Sequence, residues 1–362
     1  MAIRASTSAD GVDGWRADAR AAVADEIRRF VGARSRDHLG PAPETRLLAD
    51  VLGRFVEGGK YVRSAFALAG WACVSAPTPA AVRAAGSLEL LHCFALLQDD
   101  VMDQSPRRRG SPTAHVVFAE WHRGQGLAGS PSRFGESAAV LAGDLFLVWA
   151  EQMLRESGVG EAALARVLPR YDRMRSDLAV GQLRDLVNDA RRQPTLHDVR
   201  AVARAKSGDY TVRGPLELGA ELAGASPALL GALGQYGAAV GEAFQLRDDL
   251  LGLFGTPDRT GKPVGEDLLA RKATAVMVLA RERADTAQRR ELARLDRLPT
   301  LDRSDVDDYL ALVSATGARE HAERLVEQRL RDGMTALSNV VLSDEARRRL
   351  VHLADLCGNR NE

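Results

Sequence analysis

The run SLELLHCFALLQ, residues 87–98, is apolar on nearly every side of a helix and leads directly into the charged segment DDVMD. Such a run must be buried all round, so the spacing predicts a central core helix that starts near Pro77 and Pro79 and ends near Asp103. Its end carries Asp99, Asp100 and Asp103. Asp99 and Asp103 are four residues apart and share a face, with Asp100 on its flank. Three carboxylates at the end of an apolar helix repel one another, and a divalent cation removes that cost. Hard oxygen donors in this number suit Mg²⁺.

A second acidic pair, Asp248 and Asp249, closes another apolar helical run, FQLRDDLLGLFG. Two such pairs on different helices suggest opposing walls of one cavity mouth. Mg²⁺ prefers a few carboxylates plus substrate phosphates, so the expected ligand is a phosphate ester or diphosphate. The alternative for either cluster alone is a solvated helix end.

The basic residues point the same way. Only four of the 49 basic side chains are lysines: Lys60, Lys206, Lys262 and Lys272. They stand in distinctive local sequences, GGKYVR, AKSG, TGKPVG and ARKAT, and Lys is a compact point charge for phosphate. Arg107-Arg108-Arg109-Gly110 follows the first acidic motif closely and reads beside it as a diphosphate clamp.

The rest of the chain is helical in pattern. Isoleucine occurs twice, at Ile3 and Ile27, aromatics make up 5%, and no alternating β-branched run favours strands. Helical spacing is expected over 45–57, 136–156, 161–190, 195–223 with a break at Gly214-Pro215, 227–253, 266–294, 304–314, 317–340 and 343–356. A loop is expected over 123–135. Met1 to Gly14 reads as a mobile arm, and 15–362 as one all-α domain of about ten helices. The formal net charge of +0 argues against nucleic acid as a partner. Apolar stretches such as Ser64–Ala76 are too short for stable membrane insertion, and the first residues lack an export signal. Cys73, Cys93 and Cys357 lie far apart, which indicates neither disulfides nor a zinc knuckle. A cytoplasmic protein is expected.

Taken in order, GGKYVR, ELLHCFALLQDDVMDQSPRRRGSPT, GQLRDL, AKSGDY, FQLRDDLLGLFG and TGKPVGEDL resemble the motifs of the trans-isoprenyl diphosphate synthases, or polyprenyl synthetases, over nearly the whole chain. The resemblance implies the all-α isoprenoid synthase fold, a helical bundle around a deep central cavity, commonly a homodimer. It implies a Mg²⁺-dependent prenyltransferase that joins isopentenyl diphosphate to an allylic diphosphate head to tail. Asp99 and Asp103 match ligands of two Mg²⁺ ions and Asp248 that of a third, with Asp100 and Asp249 in support. Arg108, Lys206 and Lys262 match the clamp on the allylic diphosphate. Lys60, Arg63, His92 and Arg109 match the isopentenyl diphosphate site. Gln245 and Ser207 match positions facing the reacting carbons, and Gln182 and Asp185 the motif on the intervening helix. The alternative for His92 is a satisfied core histidine.

Two departures stand out. Gly252 replaces an aspartate that many relatives carry, which leaves a weaker third metal site or a non-catalytic subunit open. Ser207 replaces a commoner threonine and keeps the hydroxyl. Phe94 and Ala95, five and four residues before Asp99, match the positions that set chain length. One aromatic beside a small residue implies geranylgeranyl diphosphate, with farnesyl or C25 diphosphate as alternatives. The competing activities are a class I terpene cyclase, which needs no second diphosphate clamp, and a squalene-type synthase, whose motifs differ.

Overall fold

A computed structural model describes residues 9–191, 194–256 and 264–359. They are almost wholly helical, as expected. The chain divides into two compact units, Met1–Arg166 with Gly219–Gly224, and Val167–Leu218 with Ala225–Glu362.

The first unit contains α1 (Ala9–His38), α2 (Pro43–Phe55), α3 (Val62–Ala72), α4 (Pro79–Met102), α5 (Ala114–Gly124) and α6 (Pro131–Arg155). Residues 9–14, read from sequence as part of an arm, belong to α1. That helix buries Trp15, Ala19, Val23, Ile27 and Val31, one residue every fourth position, and so presents one apolar stripe. The predicted core helix is α4. Thr78 caps it by accepting from the Ala81 amide, and Pro79 fills its first turn. It packs mainly on α6 and also on α1 and α3, burying Leu88, Leu90, Leu91 and Leu97. At 24 and 25 residues, α4 and α6 have the length and apolar composition of bilayer-crossing helices, longer than the apolar runs read from sequence. Coverage by three neighbours makes α4 a core helix of this unit. The loop before α6 is shorter than expected, because Ser130 caps the helix and Pro131 begins it.

The second unit takes in most of α7 (Glu161–Ala190), then α8 (Leu196–Ala203), a π-helical segment (Arg204–Arg213), the first half of α9 (Gly214–Leu222), and α10 (Pro227–Phe254). It continues with α11 (Glu266–Leu269), α12 (Ala275–Arg283), α13 (Thr286–Asp296), α14 (Arg303–Ala315), α15 (Ala318–Ala336) and α16 (Asp344–Asn359). Helix α10 is its axis and packs on α15, the π segment and α16. The break expected at Gly214-Pro215 does not occur. The π segment widens the turn with which the Pro215 ring would otherwise clash, so the helical path continues. Conversely, the single helix expected over 266–294 is three. Thr274 caps α12, and Asp285 forms a capping box with Gln288 at α13.

Candidate active site

At the acidic end of α4 one carboxylate is buried and two are more accessible. The Asp100 carboxylate is buried at 1% exposure and receives the Arg108 guanidinium, whose Nε lies 2.9 and 3.0 Å from its two oxygens. Burial pushes the Asp100 carboxyl above its ordinary range, and Arg108 opposes the shift. The same guanidinium comes within 3.6 Å of Asp99 Oδ2. Asp99 is partly exposed and Asp103 exposed. Among the described residues no three acidic, His or Cys side chains form a ready-made metal cage. Mg²⁺ seldom asks for one, and two reachable carboxylates of hard oxygen chemistry fit an ion that completes its shell with phosphate and water.

Arg108 stands where it does because the arginine run folds as a tight hairpin. Residues Arg107–Arg108 pair antiparallel with Ser111–Pro112, as β1 and β2. The two residues of the turn, Arg109 and Gly110, have φ of 51° and 78°, which marks a type I′ geometry. Arg109 therefore holds a left-handed backbone that glycine adopts more cheaply. Its Nη1 donates to Glu57 O at 3.3 Å, reaching the loop that bears GGKYVR. In that loop Gly58 takes φ 78°, and a Cβ on Gly59 would come within 3.0 Å of the Tyr61 ring. Tyr61 is itself left-handed, at φ 53°. Its hydroxyl donates to Val56 O at 2.8 Å, and burial pushes its pKa up to about 12.

Of the residues expected at the isopentenyl diphosphate site, Arg63, His92 and Arg109 lie in one electrostatic neighbourhood of this unit. Burial holds the His92 imidazole well below its usual pKa, and Arg63, Arg108 and Arg109 reinforce the effect. The imidazole is therefore a neutral ring near neutral pH. Lys60 lies exposed in the loop three residues before Arg63. Phe94 and Ala95 are partly buried on α4.

In the second unit the π segment carries Lys206 and Ser207. Lys206 Nζ donates to Asp185 Oδ2 at 2.6 Å, tying AKSG to GQLRDL of α7. The Ser207 side chain and the whole of Lys262 lie outside the described residues. Gly208 and Gly241 meet backbone to backbone, since a Cβ on Gly241 would lie 2.7 Å from Gly208 O. This close approach fixes the π segment against α10, one turn before Gln245. Gln245 Nε2 donates to Asp249 Oδ1 at 2.7 Å, and the Ala275 amide donates to Asp249 Oδ2 at 2.8 Å. Buried Asp249, its pKa pushed up to about 7, thus braces α12 against α10, while Asp248 faces solvent. The missing side chain at 252 also has a structural reason. A Cβ there would lie 1.9 Å from Asp267 Oδ2, so a carboxylate from α11 occupies the space one turn beyond Asp248.

Sequence reasoning missed Asp267 and the buried Glu89 of α4, although a lone acidic residue inside LELLHCF is itself a signal. The four described non-glycine residues with positive φ are Tyr61, Gln104, Arg109 and Arg271, each within or beside one of the motifs.

Residues 45–313 match the Polyprenyl synthetase family. The chain is 35% identical over 290 residues, 79% of it and 77% of the relative, to the geranylgeranyl diphosphate synthase of Mycobacterium tuberculosis. It is 32% identical over 324 residues to a (2E,6E)-farnesyl diphosphate synthase of Mycobacterium bovis, covering 88% of this chain and 85% of that one. A geranylgeranyl pyrophosphate synthase from Corynebacterium glutamicum, solved with isoprenyl diphosphate and magnesium, superposes with a TM-score of 0.88 at 37% identity. That match covers 93% of this chain and 97% of the solved one.

Proposed function

The chain belongs to the polyprenyl synthetase family of transferases, and on that premise we propose that it condenses isopentenyl diphosphate head to tail with dimethylallyl, geranyl or farnesyl diphosphate, with geranylgeranyl diphosphate as product. Mg²⁺, when bound, neutralises the allylic diphosphate and stabilises it as a leaving group. Asp99 and Asp103 are the residues to hold two ions and Asp248 a third. Arg108, braced by Asp100, keeps a fixed positive charge beside them. Lys206 exchanges Asp185 for the diphosphate, and Lys262 joins it. Gln245 and Ser207 face the carbons that react. Fixed cations in place before ionisation stabilise the developing charge without reorganising.

Arg63, Arg109, Lys60 and neutral His92 hold isopentenyl diphosphate so that its double bond lies close to the allylic cation. A proton then leaves to the released diphosphate. The observation that carries this reading is that basic charge extends beyond the aspartate clamp: Arg63 and Arg109 act on His92 together with Arg108, while Arg108 alone of the three pairs with Asp100. A cyclase, which ionises a single diphosphate, has no use for it. We take the enzyme to be a cytoplasmic homodimer of one-domain subunits. Leu141 and Val148, 63% and 62% exposed and seven residues apart on α6, offer an apolar face for a second copy.

Mass analysis of products from the three allylic primers with labelled isopentenyl diphosphate and Mg²⁺ tests the proposal. A labelled C20 diphosphate is expected. Ionised primer without label would indicate a cyclase, and no consumption of primer a non-catalytic subunit.

A further inference from the structure

Glu89 lies 7% exposed within the apolar body of α4, and the mechanism above gives it no part. A carboxylate in such surroundings is costly unless its oxygens are met by donors. Two donors come from one residue 25 positions earlier. The Ser64 amide and the Ser64 hydroxyl each lie 2.8 Å from Glu89 Oε1. Ser64 is the third residue of α3, and its amide is one of the donors that a helix start leaves without an intrahelical acceptor. The residue that should cap this helix, Tyr61, is left-handed and makes no side-chain cap. Glu89 thus caps α3 from another helix, with its negative charge at the positive end of that helix.

The position matters because α3 begins inside GGKYVR. Lys60 lies two residues before the helix and Arg63 is its second residue. Glu89 is also three residues before His92 on α4. Burial raises the Cys93 thiol most, the Glu89 charge adds to the rise, and Arg109 and Arg63 oppose it, so the carboxylate shares one electrostatic neighbourhood with both arginines. Besides the clasp, the start of α3 is held by bonds to loop carbonyls, among them Tyr61 Oη to Val56 O and the Ser64 hydroxyl to Tyr61 O at 3.0 Å.

We propose that Glu89 is a positioning residue, which fixes the start of α3 so that Arg63 and Lys60 are presented to the second diphosphate substrate. The proposal rests on the assignment of the Arg63 cluster to isopentenyl diphosphate. It predicts a selective defect. Glu89→Ala raises KM for isopentenyl diphosphate about tenfold, while KM for the allylic substrate and kcat stay within about twofold. Glu89→Gln restores wild-type KM, because an amide oxygen still accepts the Ser64 N–H. Hydrogen exchange at the Ser64 amide rises in Glu89→Ala and returns to wild type in Glu89→Gln. Glu89→Asp, one methylene shorter, gives an intermediate KM and carries the test if Glu89→Ala does not fold.

Arg63→Ala is the companion measurement. If it raises the isopentenyl KM while neither Glu89→Ala nor Glu89→Asp does, the positioning role is overturned and the site assignment stands. If Arg63→Ala leaves that KM unchanged, the site assignment fails and takes the positioning role with it. Equal losses for both substrates in Glu89→Ala, unrescued by Gln, would show a merely structural residue.

Discussion

At position 252, what α10 lacks governs what its neighbour can do. The Asp267 carboxylate lies where any side chain at 252 would begin. Alanine in a helix interior ordinarily gains about 0.5–1 kcal/mol over glycine. Here Gly252→Ala should instead cost about 1 kcal/mol, because Asp267 must swing away. In an Asp267→Ala background the same change should become stabilising, and urea unfolding of the four proteins measures the reversal. Restoring the aspartate that many relatives carry would therefore displace one carboxylate in order to add another.

His92 gives a sign that can be worked out. Its folded pKa is held below 6.5, so the unfolded chain binds a proton there that the native chain refuses. The stability this neutral ring permits is complete above pH 6.5 and is lost as pH falls below it, by at most about 1.4 kcal/mol per pH unit. His92→Gln should flatten the acid limb of the stability curve by up to that slope, and parallel curves would contradict the buried neutral imidazole.

At the scale of elements, the hairpin of β1 and β2 shows local strain kept where charge is needed. Arg109→Gly should leave the fold as stable as before or about 1 kcal/mol more so, since glycine accepts the left-handed turn, yet raise KM for isopentenyl diphosphate. Thermal melting and steady-state kinetics on one sample separate the two effects. The buried length of α4 and its acidic end were legible in the sequence because apolar periodicity and local charge are short-range properties. Helix breaks were less so. Asp285 and Thr274 carry cap signals that a smooth apolar period over 266–294 obscured, and Gly214-Pro215 reads as a break although the π segment absorbs it. What lies beyond local reading is pairing across sequence. Glu89 with Ser64, Lys206 with Asp185, and Asp267 over Gly252 are set by which helices pack together, and no spacing rule contains them.

For the whole molecule, chain length is the property that the assigned residues should control at a distance from the chemistry. Phe94 precedes Asp99 by five residues, about 7.5 Å along the helix axis. Phe94→Ala should shift products from C20 toward longer prenyl diphosphates with little change in the rate of the first condensation, as chromatography of the dephosphorylated products would show. An unchanged profile would place the floor for the growing chain elsewhere.

The central claim of the proposal is that Asp99 and Asp248 are each required for a Mg²⁺-dependent condensation. Its most direct test is incorporation of labelled isopentenyl diphosphate into farnesyl diphosphate by the purified chain, with Asp99→Asn and Asp248→Asn measured beside it. The account predicts a Mg²⁺-dependent labelled C20 diphosphate from the wild type and a loss of about 10²-fold or more in each variant. Undiminished incorporation by either variant, or none by the wild type, would contradict it.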